Sequence, residues 1–362
     1  MRRRCAGRGV RSGRTPPRPA PISPLPSPAA SPPTPSSANC INEAAASDQP
    51  ALPTRCATLT LLSVHDLGGD PHGDGHRLVF VGGLHRSGTT LLARCLAAHP
   101  EVSGFAGTGV PEDEGQHLQS VYPTARAYGG PGRFARHPGA HRTERHAADP
   151  GAEAAELLRQ WRPHWDLRRP VLVEKSPPNL VMTRYLQALF PQARFVMVVR
   201  HPVTVTLATA RWRRRSPLGR LFDNWFHGHA LLTGDAERLS RLHVVRYERL
   251  VADPAAVLGE VGAFLGLGGT VPGDAVNPAR SDRYRRQWEA MAGSSRPWRR
   301  LAHARLVHRY ESAARAHGYS LADLDHLAPG TWPLPVDCRS CSAGATPKVP
   351  GGRDGAVRSA SR

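Results

Sequence analysis

A short apolar run, a glycine- and threonine-rich turn and a helical pattern follow one another near residue 80, and they constrain this chain more than any other feature. Residues 78–82 have the length and β-branched content of a buried strand, and residues 89–99 have helical spacing. The turn between them, Gly83-Leu-His-Arg-Ser-Gly88, has the glycine spacing of a nucleotide phosphate loop. A strand that turns into a helix in this way directs backbone amides at an anion, so we expect an anion site there.

The residue after Gly88 narrows the choice of anion. Thr89 stands where the phosphate loop of a kinase or NTPase carries the lysine that reaches the β and γ phosphates. The loop keeps a glycine and several hydroxyls but lacks that lysine. A kinase or another phosphoryl transferase on the same fold is therefore the weaker alternative.

Apolar runs and helical patterns alternate along residues 77–330. Strand-like runs recur at 171–173, 195–199 and 244–245, and helical patterns lie at 178–190, 203–213, 221–240 and 254–267. Asp253-Pro254 has the residues of a helix cap followed by proline at the first helical position. This alternation predicts one α/β domain over 77–330, a P-loop-like parallel sheet with helices on both faces. Residues 105–165, rich in Gly, Pro and His, form an insertion.

The two ends of the chain are predicted to be disordered tails, residues 1–76 and 331–362. Ten prolines lie between Pro16 and Pro35, and seven arginines lie in the first 18 residues. This composition also suits an organelle transit peptide or a start codon assigned too far upstream. We expect a cytoplasmic protein, or an organellar one if the first segment is a transit peptide. No run of about 18 apolar residues predicts a membrane span.

The net charge of +19 suits phosphate, sulfate, nucleic acid or an anionic membrane as a partner. However, 46 of the 48 basic residues are arginine, which indicates a G+C-rich coding bias as much as a function. A non-enzymatic protein that binds polyanions or nucleic acid through Arg211, Arg213, Arg214, Arg215 and the region 283–300 therefore stays as a second alternative. The six scattered cysteines predict neither a disulfide framework nor a metal site.

The segment Arg86-Ser-Gly-Thr-Thr90 resembles the 5′-phosphosulfate loop of sulfotransferases that use 3′-phosphoadenosine 5′-phosphosulfate (PAPS), especially the bacterial and tyrosylprotein branches. PAPS carries no phosphate beyond the 5′ position, which matches a loop without the lysine. The resemblance covers about residues 77–290 and implies transfer of a sulfuryl group from PAPS to a hydroxyl or amine, with no metal. It also implies that the cofactor-binding residues of the loop are His85, Arg86, Ser87, Gly88, Thr89 and Thr90.

Two further segments resemble the same family. Arg200, directly after the apolar run 195–199, matches the arginine that grips the 3′-phosphate, and its planar fork suits that group. Eight residues later the family has Ser where this chain has Ala208, so either Thr206 or Thr209 is left to supply a hydroxyl. Tyr247 matches a tyrosine that lies near the nucleotide in the family.

Sulfuryl transfer needs a base for the acceptor proton and a cation near the bridging oxygen. Glu112 and Glu114 lie about where the tyrosylprotein branch carries its catalytic glutamate, and we favour Glu114 slightly; His117 is a third candidate base. Lys175 resembles the family's lysine beside the sulfuryl group. Almost all other basic residues of the chain are arginine. A lysine at this position therefore indicates a need for the compact charge of an ammonium, which a guanidinium does not provide.

The acceptor is not predicted by these motifs. A carbohydrate, a lipid, a small molecule and a peptide all stay open, and basic residues near the cleft suit an acidic sugar, lipid or peptide. Nucleic acid is not an expected partner of the enzyme.

Overall fold

The computed structural model describes residues 75–277, 281–329 and 332. Five strands form one sheet in the order β2-β3-β1-β4-β5. Their bounds are β1 (Arg77–Gly83), β2 (Val102–Gly104), β3 (Val171–Lys175), β4 (Arg194–Val199) and β5 (Leu242–Arg246). All four pairings are parallel, which confirms the predicted α/β fold with a parallel sheet. The predicted tails lie almost wholly outside the described residues, so their disorder stays a prediction.

The described part of the chain contains α-helices between and after the strands. Their bounds are α1 (Thr89–Ala97), α2 (Pro150–Trp161), α3 (Thr183–Leu189), α4 (Pro202–Ala210), α5 (Leu218–Ala236), α6 (Tyr247–Ala252), α7 (Pro254–Leu265), α8 (Asp282–Ala292) and α9 (Pro297–Ala316). The predicted cap of α7 is present, because the Asp253 side chain accepts a hydrogen bond from the Ala256 amide at 3.0 Å. None of these helices has the combined length and apolarity to span a membrane.

Two predictions differ from the structure in detail. The helical pattern at 178–190 divides into a 3₁₀ turn, Pro177–Val181, and the α-helix α3. The insertion 105–165 contains α2, which the composition of that region did not indicate.

Alternating side chains of each strand enter separate cores on the two faces of the sheet. Val79 and Val81 pack in a core with residues of α1 and α7. Phe80, between them, packs in the opposite core, where its ring stacks on Phe195 with centroids 5.6 Å apart. Helices α2 to α5, α8 and α9 contribute to this second core. The prediction of helices on both faces is thus confirmed.

The strand order places the end of β1 at a special position. The chain runs from β1 to the edge strand β2, returns to β3, and then crosses to β4 on the other side of β1. The direction of winding therefore reverses beside β1, and open α/β sheets bind ligands at the carboxyl ends of strands at such a point. The segments that follow β1, β3, β4 and β5 meet at this edge.

Candidate active site

The loop between β1 and α1 has the backbone of an anion-binding turn. Arg86 and Gly88 both adopt positive φ angles, 74° and 108°, which turn the chain sharply before the helix. No side chain caps the start of α1, so its first amide hydrogens stay available to a ligand. Ser87 is fully buried beneath the loop, and its hydroxyl has no partner among the described residues.

A cavity of about 860 Å³ opens beside this loop and contains most of the predicted cofactor residues. Its volume is typical of a cleft for a small organic ligand. The predicted residues in its wall are His85, Arg86, Gly88, Thr89, Thr90, Glu112, Glu114, Arg200 and Tyr247. The loop and the ends of β4 and β5 therefore meet at one cavity, and Glu112 and Glu114 face the same space.

Five arginines line the cavity against two glutamates: Arg86, Arg94, Arg200, Arg283 and Arg286. In the part of the chain that the structure describes, none of the five forms an ion pair with a carboxylate. His85 adds no charge near neutral pH, because burial lowers its pKa to about 3. The cavity is thus strongly positive and suits an anion with more than one charged group.

Arg200 is the most enclosed of these cations, with 7% of its surface exposed. Nη1 donates to the Arg86 carbonyl at 3.0 Å, and Nη2 donates to the Ser281 hydroxyl at 2.7 Å. Nε is buried without a partner among the described residues. Burial lowers the pKa of Arg200. The charge of Glu248 acts against this lowering, but no carboxylate of the described chain forms an ion pair with Arg200. A buried cation without such a partner is costly unless a ligand supplies negative charge.

Tyr247 connects Arg200 to the phosphate loop. The Arg200 guanidinium lies 3.7 Å from the centroid of the Tyr247 ring. The ring also packs against Gly88, where an added Cβ would come within 2.5 Å of Tyr247 Cδ2. Gly88 is therefore required both by its positive φ angle and by the close approach of the tyrosine.

The hydroxyls considered for the 3′-phosphate lie elsewhere. Thr206 and Thr209 line a separate, very small cavity of about 10 Å³ together with Leu84 and His85, and neither belongs to the wall of the large cavity. Ala208 is buried. Arg200 thus has no hydroxyl of α4 beside it in the wall.

Nine residues of the wall were not among the predicted catalytic or cofactor-binding residues: Leu91, Arg94, Pro177, Trp212, Ala275, Asn277, Arg283, Tyr284 and Arg286. Arg94 lies in the last turn of α1, and Arg283 and Arg286 lie one turn apart on α8. Their spacing of three residues was a signal that they share a helix face. Trp212 is 54% exposed, and the Arg86 guanidinium lies 4.7 Å from the centroid of its ring.

Glu114 is the buried acid of the candidate site. Its Oε1 lies 3.4 Å from Lys175 Nζ, and its Oε2 accepts a hydrogen bond from Gln116 Nε2 at 2.5 Å. His117 Nε2 lies 3.8 Å from the same oxygen. Burial raises the pKa of Glu114, and the charge of Lys175 acts against that rise. A carboxylate in this setting is a stronger base than a solvated one.

The neighbouring acids have other surroundings. Glu112 is exposed, has a positive φ angle of 55°, and lines the cavity. Asp113 accepts hydrogen bonds from the amide and hydroxyl of Thr108, which lower its pKa. Lys175 is buried at the end of β3, and its Nζ donates to the Glu112 carbonyl at 2.7 Å. Lys175 is not one of the described residues that line the cavity.

Glu174 is a second buried acid, which sequence reasoning missed. Its carboxylate accepts hydrogen bonds from Ser176 Oγ at 2.6 Å and Asn179 Nδ2 at 2.5 Å, and burial raises its pKa to about 7. Gly115 packs so closely on it that a Cβ would overlap the carboxylate. Among the described residues, no group of three or more His, Cys, Asp and Glu side chains is arranged to hold a metal ion.

Comparison with known proteins identifies the family. A sequence model of the sulfotransferase family matches residues 79–270, more than half of the 362-residue chain. Protein-tyrosine sulfotransferase 2 of Gallus gallus is 27% identical over 198 residues, 52% of this chain and 51% of that protein. Protein-tyrosine sulfotransferase A of Caenorhabditis elegans is 23% identical over 231 residues, 57% of this chain and 55% of that protein. The chain spans about half the length of these curated relatives.

A solved structure to which this chain is similar is the sulfotransferase domain of the Synechococcus PCC 7002 olefin synthase. It is 20% identical, covers 65% of this chain and 94% of its own, and has a TM-score of 0.38. The family match carries more weight, because its span contains the phosphate loop, Glu114, Lys175, Arg200 and Tyr247. This chain belongs to the sulfotransferase family.

Proposed function

We propose that the protein is a PAPS-dependent sulfotransferase that transfers a sulfuryl group to an acceptor hydroxyl or amine. The observation that carries the proposal is the large cavity, in which arginines without carboxylate partners and a lysine-free phosphate loop face the buried acid Glu114. Neither alternative accounts for this combination. A phosphoryl transferase requires the missing lysine, and a polyanion-binding surface does not require a buried carboxylate.

The unpartnered groups of the cavity fit the anionic parts of PAPS. The open amides at the start of α1 suit the 5′-phosphosulfate, whereas the unpartnered Ser87 hydroxyl is buried and does not line the cavity. The unpartnered Nε of Arg200 suits the 3′-phosphate, and Arg283 and Arg286 are further cations in the same wall. When bound, PAPS supplies the sulfuryl group, and adenosine 3′,5′-bisphosphate is the product that leaves.

Glu114 acts as the general base in this proposal. It takes the proton of the acceptor hydroxyl or amine while the acceptor atom bonds to sulfur and the bond from sulfur to the phosphate oxygen breaks. The ammonium of Lys175 favours the ionised base from 3.4 Å away. The cation at the bridging oxygen is then Lys175 itself or an arginine of the cavity. Glu114 comes after β2, and Lys175 is the last residue of β3. On the other side of β1, Arg200 directly follows β4 and Tyr247 directly follows β5. We therefore infer that the acceptor enters on the β3 side of the loop.

The acceptor class is a separate part of the proposal. The relatives in Gallus gallus and Caenorhabditis elegans are named as protein-tyrosine sulfotransferases, so a tyrosine-containing peptide is the first acceptor to test. Acidic sugars and lipids follow, since the wall of the cavity is positive. An acceptor screen with labelled PAPS distinguishes these classes.

Thermal unfolding of the full chain tests the donor. Adenosine 3′,5′-bisphosphate without metal should raise the melting temperature, since a ligand at a hundred times its Kd stabilises the folded state by about 2.7 kcal/mol. ATP with Mg²⁺ should raise it much less. Equal shifts with the two ligands would contradict the donor assignment and favour a phosphoryl transferase. Stabilisation by any polyanion, with a steep log-linear loss in salt, would favour the polyanion-binding alternative.

A further inference from the structure

Gln116 is a buried side chain in contact with Glu114. It is 1% exposed, and its Nε2 donates to Glu114 Oε2 at 2.5 Å. Its Oε1 accepts a hydrogen bond from the Ala125 amide at 2.8 Å. The two ends of one amide thus join the candidate base to a backbone segment nine residues further along the chain.

The orientation of this amide is fixed by its partners. A backbone N–H can only donate, so the group that faces Ala125 must be the carbonyl oxygen of Gln116. The NH₂ group must then face Glu114, whose ionised carboxylate can only accept. The reversed amide would place two donors together at Ala125. The contact is therefore a donation from Gln116 to a carboxyl oxygen of Glu114, and such a donation favours the ionised form.

The backbone around Gln116 is held as firmly as its side chain. The Gln116 amide donates to Ser176 Oγ at 2.9 Å, and the Ser176 hydroxyl donates to Glu174. The carbonyl of Gly115 accepts from Trp161 Nε1 at 3.0 Å. Four buried contacts thus leave Gln116 little freedom, and its amide can position the carboxylate of Glu114 without moving itself.

We propose that Gln116 is a positioning residue, whose side-chain amide holds the Glu114 carboxylate ionised and oriented toward the cavity. The proposal rests on the proposed role of Glu114 as the base. It adds a specific contact: burial opposes the charge that a base requires, and one amide proton from a rigid neighbour acts with the charge of Lys175 against that effect.

Other titratable groups lie near Glu114 and influence its protonation. Lys175 of β3 lies 3.4 Å from Oε1, and His117 lies 3.8 Å from Oε2. The charge of Glu114 also contributes to the raised pKa of Glu174. His85 of the phosphate loop is neutral near pH 7, since burial lowers its pKa to about 3. A test must therefore change Gln116 and leave all four of these groups in place.

Gln116→Glu provides that test. The new side chain keeps an oxygen for the Ala125 amide but replaces the donated proton with a second carboxylate against Glu114. Two carboxylates at this distance share a proton, and one apparent pKa of the pair rises strongly. We expect the acid limb of the pH–kcat profile to move upward by more than about one pH unit. At pH values below the acid limb, kcat should be at least about tenfold lower than in wild type and should recover as the pH rises, while the KM for PAPS stays within about threefold.

Gln116→Met and Gln119→Glu complete the design. Gln116→Met keeps the length of the side chain and removes the donor, so it should move the acid limb less than Gln116→Glu and serves if that variant fails to fold. Gln119→Glu is the matched control, because the Gln119 amide donates to the carbonyls of Gln116 and Tyr122 and does not touch Glu114. A merely structural role predicts that Gln119→Glu and Gln116→Glu lower activity alike without a shift in pH dependence.

A second readout does not require turnover. In infrared difference spectra of the ligand-free protein, the carboxyl band that Glu114→Gln removes reports the titration of Glu114. Gln116→Met should raise the pH at which this band changes. If wild type transfers sulfuryl groups and depends on Glu114, yet both Gln116 variants leave the titration and the acid limb unchanged, the positioning role is wrong. If wild type shows no transfer from PAPS, the proposed function fails instead, and the infrared titration still decides the contact.

Discussion

The guanidinium of Arg200 lies over the ring of Tyr247, 3.7 Å from its centroid. Arg200 follows β4 and Tyr247 follows β5, so the stack connects the ends of two neighbouring strands. The same tyrosine packs on Gly88, and Arg200 donates to the carbonyl of Arg86. The phosphate loop and the proposed 3′-phosphate site are therefore held together by contacts among their own residues.

Arg200→Ala should weaken the binding of PAPS much more than that of adenosine 5′-phosphosulfate, which lacks the 3′-phosphate. The loss of one charge-assisted contact should cost about 1.5 to 3 kcal/mol. Titration calorimetry with both nucleotides measures the ratio. Arg249→Ala is the control, since Arg249 forms an ion pair with Glu260 on an exposed surface. An unchanged ratio in the Arg200 variant would mean that the 3′-phosphate binds elsewhere.

Gly88→Ala should abolish nucleotide binding while the protein stays folded. The new Cβ would meet the Tyr247 ring and would also strain a backbone with a φ angle of 108°. Gly234→Ala is the matched control, because no heavy atom lies within 4 Å of its added Cβ and Gly234 lies inside α5. That change should stabilise the protein by about 0.5 to 1 kcal/mol. Nucleotide-dependent thermal shifts distinguish the two, and a normal shift in Gly88→Ala would refute the geometry.

Glu114→Gln and Glu112→Gln should separate the base from an exposed acid. We expect Glu114→Gln to lower kcat by about 10²- to 10⁴-fold. Glu112→Gln should leave kcat within about threefold, because the Glu112 contact to Lys175 uses its backbone carbonyl. Single-turnover rates with labelled PAPS provide the measurement. If neither variant slows transfer while PAPS still binds, the base is another group, and His117 is the next to test.

Lys175→Arg keeps the charge and follows the protein's own preference for arginine. The ammonium lies between the Glu112 carbonyl and the Glu114 carboxylate in a buried site, and a planar guanidinium does not fit the same point. We expect kcat to fall by about 10²-fold with little change in PAPS affinity. Arg249→Lys, the reverse exchange on the surface, should be silent. A kcat within about threefold of wild type would remove Lys175 from the mechanism.

Glu174 should make the free energy of unfolding depend on pH. Its folded pKa of about 7 exceeds its ordinary value of 4.5, so between these values only the folded state keeps the proton. Stability due to this group therefore falls as pH rises through that window. Three buried histidines have the opposite effect. Burial lowers the pKa of His85, His201 and His229 to about 3 or 4, so their protonation at acid pH destabilises the folded state. Urea unfolding of wild type and Glu174→Gln should give curves that diverge with pH; parallel curves would contradict the raised pKa.

The sequence predicted the features that depend on local pattern. The phosphate loop, Arg200 and Tyr247 each follow a strand whose apolar content is visible in the sequence, and parallel strands bring such ends to one edge. The buried position of Glu114 agrees with the order in which the two glutamates were ranked, although its role as the base stays a prediction. The short strand β2 has only three residues, too few for a periodic signal.

The missed residues depend on contacts between distant parts of the chain. Arg283 and Arg286 belong to the wall of a cavity formed largely by residues 85–114, and no local pattern reports such a separation. The sequence indicated Lys175 but not its contacts, because its ammonium contacts residues more than sixty positions earlier. Thr206 and Thr209 were considered as ligands from their spacing alone, but the orientation of α4 directs them to another cavity.

The insertion 105–165 lies between β2 and β3 and carries Glu114 and Gln116, but none of the residues proposed to hold the nucleotide. Its ends leave and re-enter the sheet on the side away from β4 and β5. A change within this segment that keeps Glu114 and Gln116 therefore leaves the contacts among Gly88, Arg200 and Tyr247 in place. On this plan a lineage can acquire a new acceptor by changes in a single continuous stretch of its gene around a retained base, while it inherits the donor contacts unchanged.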